Sequence, residues 1–532
     1  MSPVSTITEP RSVVAPARPL IGPSWSHRLH PPMPAGGWRG WVGPLVALIV
    51  AAVLRIPNLG RPADFAFDET YYAKDALSLL RFGSERAMRQ DANDLLLASD
   101  GNPWTVAPFE TGAAYVVHPP FGKWVIAAGE AWLGVTPTGW RIGVLIAGLL
   151  AVIAVARISR RLLRSNLWGT VAGLLMAIDG LAIVMSRTAV LDNILMVCVV
   201  GAFGALLIDR DRVRRRVAEA LPGGTDPSDY FRDLSPPIAA IRPWRVVAMV
   251  LLGLACGVKW SGVWFVVAFG LMTVLWDVGL RRTLGVRSPW VTTLWRDALP
   301  TAVLWVAVVV VVYVATWTGW LVTDSGYYRD WAASQASSVV PDALRSLWHY
   351  HAEALRFHTT LTSPHSYSAN AWGWPVLARP TSFFYEEEPT CGAPRCAQEV
   401  LALGNPIIWW AAALALIHQT WRWAARRDWR AGAVLAGFLA GWLPWLMFQE
   451  RTVFSFYAIA FLPFTILALT LSLSTVRGRA DSSQVRNNAG IVAVTVFFVL
   501  ALAASAFFYP IWTAESIPYE QWNWRMWFPT WV

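Results

Sequence analysis

Apolar residues in this chain run in long, nearly uninterrupted blocks rather than at helical or strand periodicity. VGPLVALIVAAVL (Val42 to Leu54), AVLWVAVVVVVYVATW (Ala302 to Trp317) and IVAVTVFFVLALAASAFF (Ile491 to Phe508) are apolar on every face. Most such blocks approach the roughly 20 residues needed to cross about 30 Å of hydrocarbon. The pattern predicts eleven spanning helices, at 39–57, 138–157, 166–185, 190–208, 244–258, 261–277, 298–319, 404–421, 430–448, 452–474 and 489–510. The expected architecture is an all-α integral membrane protein.

The segments between the blocks alternate in charge. Arg157, Arg160, Arg161 and Arg164 fill one short connection, Arg210 to Arg216 another, and Arg281, Arg282 and Arg287 a third. Arg422, Arg426, Arg427 and Arg430 follow, then Arg477 and Arg479. The positive-inside rule places these connections in the cytoplasm and their alternates outside. Residues 1–38, rich in Pro, Ser and Arg, then read as a disordered cytoplasmic tail rather than a cleaved signal peptide. The Trp-rich segment 511–532 falls outside, lying back on the membrane surface or on the protein's outer face.

Two outward connections, 58–121 and 321–403, are too long to be turns. The first carries amphipathic helical spacing in TYYAKDALSLLRF, and the second is rich in aromatics, Pro and His. Both read as folded covers. They divide the chain into a membrane region at 39–320, a covering loop at 321–403, a four-helix region at 404–510 and the tail.

Composition agrees with a membrane solvent: 55% hydrophobic residues and 15% charged do not describe soluble domains. Many of the 33 Trp fall near span ends, where an amphipathic ring suits headgroup depth. The net charge of +10 resides in the short connections and not on an aromatic-studded soluble face, so nucleic acid is not an expected partner. Of four Cys, Cys198 and Cys256 fall inside spans, while Cys391 and Cys396 share the covering loop, where a disulfide is plausible.

Ionisable residues at span ends mark the candidate chemistry, because charge near hydrocarbon is costly. In FDETYYAKD, Asp68 and Glu69 follow the first span at its outward end. A carboxylate there suits general-base work on a hydroxyl; the structural alternative is a solvated acidic pair capping the next helix. HPPFGKW supplies His118 and Lys123 where the chain re-enters the membrane, with a snorkelling Lys as the alternative. Arg187 and Asp192 occupy one outward turn, Lys259 in GVKWSG the next, and Arg55, Arg141 and Arg451 belong to the same set. Converging cations at that depth suit a lipid-borne phosphate, although Arg187 and Asp192 could equally pair with each other. The covering loop's His349, His351, His358 and His365 lack zinc-ligand spacing, so no metal is expected, a divalent ion not being excluded.

FDETYYAKDA, HPPFGKW, the Arg187–Asn193 segment and GVKWSG, in that order on outward turns, resemble the membrane region of protein O-mannosyltransferases. SPHSYSANAWGWPVLARP, FFYEEE, LGNPIIWW and RTVFSFYAIAFLP resemble the later regions of the bacterial, actinobacterial-type members. The covering loop is too short for the soluble repeats inserted in eukaryotic members. The resemblance implies a GT-C type fold in the plasma membrane and an inverting transfer of mannose from a polyprenyl-phosphate mannose to Ser or Thr of exported proteins. It implies Asp68 as general base, Glu69 orienting base or acceptor, and Arg141, Lys259, Lys123 and Arg187 stabilising the phosphate. Trp372 and Trp374 offer stacking surfaces to sugar or peptide, and the export machinery is an expected neighbour. Two rivals stand beside this reading: a GT-C enzyme acting on a glycolipid or polysaccharide, and a multispan transporter, whose charges belong nearer the midplane.

Overall fold

The computed structural model describes residues 25–34, 36–222, 225–232, 242–387, 390–478 and 482–532. The tail through residue 24, Glu388 of the FFYEEE segment and Arg479 lie outside the described residues. Helix α1 (Arg39–Arg55) leads into the first long loop, which contributes α2 (Glu69–Phe82) and α3 (Phe121–Leu133). Then follow α4 (Pro137–Leu163), α5 (Asn166–Ile178), α6 (Gly180–Met185), α7 (Asp192–Ala220), α8 (Pro243–Val258), α9 (Gly262–Thr283) and α10 (Pro289–Thr316). Beyond the second long connection and its helix α11 (Asp342–Thr360) come α12 (Pro406–Arg426), α13 (Trp429–Trp442), α14 (Leu462–Arg477) and α15 (Gln484–Trp512).

Helix stands at each expected apolar segment, and among the described residues six helices are long and apolar enough to cross a membrane. Burial separates centre from edge: 78% of the most apolar stretch of α7 is buried in protein, against 11% for α10 and 17% for α15. The last two present Val303, Val306, Val311, Val492 and Val499 outward, as helices solvated by lipid do.

Among the described residues, three expected spans are interrupted well inside their bounds, each for an identifiable reason. The segment 166–185 breaks at Asp179, whose carboxylate leaves the helix ladder to cap α6 at Ala182 N (3.1 Å). Its other oxygen accepts from Asn405 N (3.1 Å) and Trp409 Nε1 (2.8 Å), tying the first half of the chain to α12. The segment 430–448 leaves α-helix after Trp442, with Pro444 opening a 3₁₀ turn, Leu443–Met447. In the segment 452–474, helix begins only at Leu462, and the preceding 3₁₀ turn Ser455–Ala460 carries Phe456 and Tyr457 inward.

The two long loops, the expected covers, are not wholly helical. Strands β1 (Arg86–Met88) and β2 (Phe109–Ala113) pair antiparallel in the first loop. Strands β3 (Thr381–Glu386), β4 (Cys396–Ala402) and β5 (Ile517–Pro518) form a second sheet, and a disulfide joins Cys391 to Cys396 across its hairpin. The all-α expectation therefore holds for the membrane region and gives way in the covers. The Trp-rich tail packs on the second cover, where Trp522 Nε1 donates to Glu399 (2.6 Å) and Trp531 Nε1 to Leu377 O (2.8 Å). The two covers also grip each other: the Tyr350 hydroxyl on α11 bonds both N (3.0 Å) and O (2.6 Å) of Val116.

Candidate active site

The adjacent acids of the FDE segment have opposite surroundings. Glu69 is fully buried and saturated, its two oxygens taking a fork from Arg141 (2.8 and 2.6 Å). Backbone N–H groups of Ala66 (2.9 Å) and Ala189 (2.7 Å) complete its shell. Arg141 spends its remaining donors on the carbonyls of Leu59 (3.2 Å), Pro62 (2.8 Å) and Asp64 (2.8 Å). Its planar fork thus folds the start of the first loop around Glu69.

Asp68 precedes α2 but makes no capping bond, and it is half-buried with a long contact from the Tyr72 hydroxyl (3.4 Å). The solvated capping pair envisaged for this segment is therefore not what forms: one acid is sealed and the other is left with spare acceptor capacity. Burial pushes the Asp68 carboxyl up to about 6, against the pull of nearby Lys259. A carboxylate so tuned is a competent base near neutrality.

Lys259, whose charge acts on Asp68, lines a cavity of about 520 Å³, within the range of small-molecule sites. One end is polar. Lys259 Nζ is fixed by both oxygens of Asp192 (3.0 and 2.8 Å) and sits 4.3 Å from the Tyr457 ring centre. Arg451 donates to His358 Nδ1 (3.3 Å), while its buried Nε has no hydrogen-bond partner among the described residues. His358 Nε2 in turn donates to Val117 O (3.1 Å), and His118 stacks on the same ring at 5.4 Å. Burial and neighbouring cations lower His358 to about 4 and push His118 down as well, so both imidazoles are neutral at pH 7. The other end is apolar, lined by Val263 and Trp264 of α9 and Val310 of α10, all also exposed on the outer surface of the helices.

The structure thus brings together Asp68, Asp192, His118, Lys259 and Arg451, and it turns the remaining expected residues elsewhere. Arg141 is sealed as described. Arg55 donates to the carbonyls of Ala177 (2.7 Å) and Met176 (3.2 Å), satisfying the broken end of α5. Arg187 caps the end of α1 through Arg55 O (2.5 Å), Pro57 O (2.8 Å) and Asn58 O (2.7 Å), and it does not pair with Asp192. Lys123 does not snorkel; it is buried between Glu85 (2.7 Å) and Asp75 (3.2 Å). Trp372 is 63% exposed and meets Trp442 edge-on, whereas Trp374 is 1% exposed and packs on Trp445 and Tyr457.

Sequence reasoning missed His358 and His351 as cavity residues, along with Tyr457 and Tyr313. The two His stand seven residues apart, two turns of one helix face, which was the available signal. His351 locks α11 to the membrane helices: Trp260 Nε1 donates to the Tyr313 hydroxyl (2.9 Å), which bonds His351 Nε2 (2.5 Å). Among the described residues no three of His, Cys, Asp or Glu gather as a metal site.

Residues 343–531 match the C-terminal four-transmembrane region of protein O-mannosyltransferases, and residues 117–214 match the dolichyl-phosphate-mannose-protein mannosyltransferase family. The polyprenol-phosphate-mannose–protein mannosyltransferase of Mycobacterium tuberculosis is 38% identical over 507 residues, covering 93% of this chain and 92% of that one. The enzyme of the same description from Corynebacterium glutamicum is 32% identical over 477 residues, covering 87% and 88%. In fold, the chain is similar to a solved protein O-mannosyltransferase of Saccharomyces cerevisiae, from the Pmt1–Pmt2 complex bound to the sugar donor. That match has a TM-score of 0.69 at 14% identity, over 97% of this chain and 96% of that one. Identity sustained along nearly the whole length, with a shared helical GT-C-like scaffold, places this multi-pass membrane chain in the polyprenol-phosphate-mannose–protein mannosyltransferase family.

Proposed function

We propose that this chain transfers mannose from a polyprenol-phosphate mannose to Ser and Thr hydroxyls of exported proteins at the outer face of the plasma membrane. The observation that carries the reading is an under-satisfied carboxylate, Asp68, next to Lys259, which lines a cavity that is cationic at one end and apolar where it meets the outer surface of α9 and α10. A phosphate at headgroup depth with its prenyl chain in the bilayer has that division of polarity.

In the reaction, the acceptor oxygen bonds the anomeric carbon as the bond to the donor phosphate oxygen breaks, and the acceptor proton passes to Asp68. Polyprenyl phosphate leaves. A base at the acceptor hydroxyl and cations at the leaving phosphate favour direct displacement, hence inversion. Lys259, oriented by Asp192, and Arg451, with unused donors, stabilise the charge that grows on the phosphate, and neutral His118 adds a hydrogen bond. Arg141, Arg55, Arg187 and Lys123 act in this reading as scaffold, and Glu69 holds the base's backbone. Trp372 serves the acceptor, and Trp374 backs the Tyr457 wall.

The positive-inside pattern supports eleven crossings, with the long loops and carboxyl terminus outside, and an acceptor that must arrive unfolded supports the export machinery as a neighbour. An external-only reporter fused after residue 480 is then inactive.

The test is to incubate purified enzyme with donor lipid labelled in mannose, a Ser/Thr-rich peptide and an extract of native lipids. Label is expected in peptide. Label in lipid alone would transfer the reading to a glycolipid enzyme, and label in neither, with folded protein, would remove it.

A further inference from the structure

We propose that Phe67 is a positioning residue for Asp68: its ring is seated in an aromatic clamp contributed by the later half of the chain, and that clamp fixes the backbone from which the carboxylate projects. The inference rests on the reading of Asp68 as the base.

Phe67 has φ of +52°, in the left-handed region that a bulky residue rarely enters, because Cβ crowds the carbonyl. No glycine or asparagine relieves the position, so tertiary contacts must hold it. They are present on several sides. The Phe67 ring stacks on Phe383 at 5.0 Å with 13° between planes. Phe454 and Phe456 meet it edge-on, each at 5.6 Å, and His365 does so at 6.1 Å. Phe383 and Phe456 are themselves buried, at 4% and 1% exposure, so the clamp is anchored in the core.

This completes a symmetry about Asp68. The residue after it, Glu69, is fastened by Arg141 and Ala189 to the first half of the chain. The residue before it is fastened by rings of the covering loop and of the turn preceding α14. Among the described residues, Asp68 itself has no side-chain hydrogen bond shorter than the 3.4 Å approach of Tyr72. Rigid neighbours and a free carboxylate are what a preorganised base requires, since a misplacement of about 1 Å costs on the order of 100-fold in rate. The clamp also makes correct placement of the base depend on docking of the carboxyl-terminal membrane region, which contains no part of the FDE segment.

The experiment measures kcat, both Michaelis constants and the pH profile of kcat/KM for Phe67→Ala, Phe67→Tyr and Asp68→Asn in purified full-length enzyme. Phe67→Ala is expected to lower kcat by about 30- to 100-fold with KM values nearly unchanged, and Phe67→Tyr, which keeps the ring, to restore most of it. The acid limb of the profile should move to lower pH in Phe67→Ala, because a loosened carboxylate is better solvated; a merely structural role would scale the profile without moving it. If Phe67→Ala does not fold, Phe383→Leu and Phe454→Leu loosen the clamp from its far side and are each expected to lower kcat about tenfold. Native kcat in Phe67→Ala, or in both of those substitutes, overturns the inference while an inactive Asp68→Asn leaves the site reading intact. An active Asp68→Asn overturns the site reading itself.

Discussion

The buried cation–carboxylate pairs Arg141–Glu69 and Lys259–Asp192 stand at span ends on the side of the long loops, and they differ in what each cation has left over. Arg141 meets two carboxylate oxygens and three carbonyls, which exhausts its donors and encloses it completely. Lys259 is bound by one carboxylate and is otherwise turned to a tyrosine face and an open cavity. Both satisfy the rule that a charge beside hydrocarbon must be paired. Only the second retains capacity for a ligand. A buried ion pair is thus read functionally from its unused donors and the space before them, rather than from its depth.

The largest effect should come from breaking the saturated pair. Arg141→Met leaves a buried carboxylate and three carbonyls without partners, and a loss of about 3–5 kcal/mol in stability is expected from thermal unfolding in detergent. A variant that melts normally yet binds donor poorly would move Arg141 into the phosphate site and dissolve the contrast.

Next is Asp68→Asn, which keeps size but removes basicity. A fall in kcat of about 100-fold or more is expected with donor affinity retained. On the proposed reading, Asp68, whose carboxyl burial pushes up to about 6, acts in the parent enzyme only when ionised. The rate should therefore fall roughly tenfold per pH unit below that value and level off above it. A rate flat from pH 5 to pH 7 would require another base, with Glu69 excluded by its saturation and Asp192 by its pairing only as long as those contacts persist.

Removing a cavity cation should weaken donor binding by about 1.5–3 kcal/mol, the worth of a charge-assisted contact. Lys259→Met also leaves Asp192 buried and unpaired, so its melting temperature should fall too. Arg451→Met removes a donor to His358 and a guanidinium over the Trp445 ring but strands no carboxylate among the described residues, so its loss is expected chiefly in affinity, read by donor titration. Equal stability losses in the two variants would make Arg451 a structural cation like Arg141.

The contrast between the pairs also marks what was legible in the sequence. Apolar runs and alternating basic connections locate the membrane helices, because lipid solvation demands long unbroken blocks. The order of motifs leads to the family. What the sequence cannot carry is which cations share a cavity, since Arg141 and Lys259 look alike until the carbonyls of Leu59, Pro62 and Asp64 are folded around one of them. The helix breaks at Asp179 and before Leu462 were likewise hidden inside apolar stretches. In both places a tertiary partner, Asn405 and Trp409 in one and the aromatic cluster near Phe67 in the other, decides against continuous helix.

The smallest effect separates the two Trp of the covering loop, which the sequence offers as equivalent stacking surfaces. Trp374 donates to Ala369 O (2.9 Å) and backs Tyr457, the ring against which Lys259 rests. Its replacement by Ala should open a void in that wall and lower stability, which would obscure any role in binding. Among the described residues the Trp372 ring meets the edge of Trp442, and it is mostly exposed, so its loss disturbs little packing. A stacking contact of about 0.5–1.5 kcal/mol corresponds to a rise of about 2- to 10-fold in acceptor KM for Trp372→Ala, with kcat and donor affinity unchanged. If acceptor KM stays native, the outer tip of this loop takes no part in recognition, and the peptide must approach Asp68 along the first cover instead.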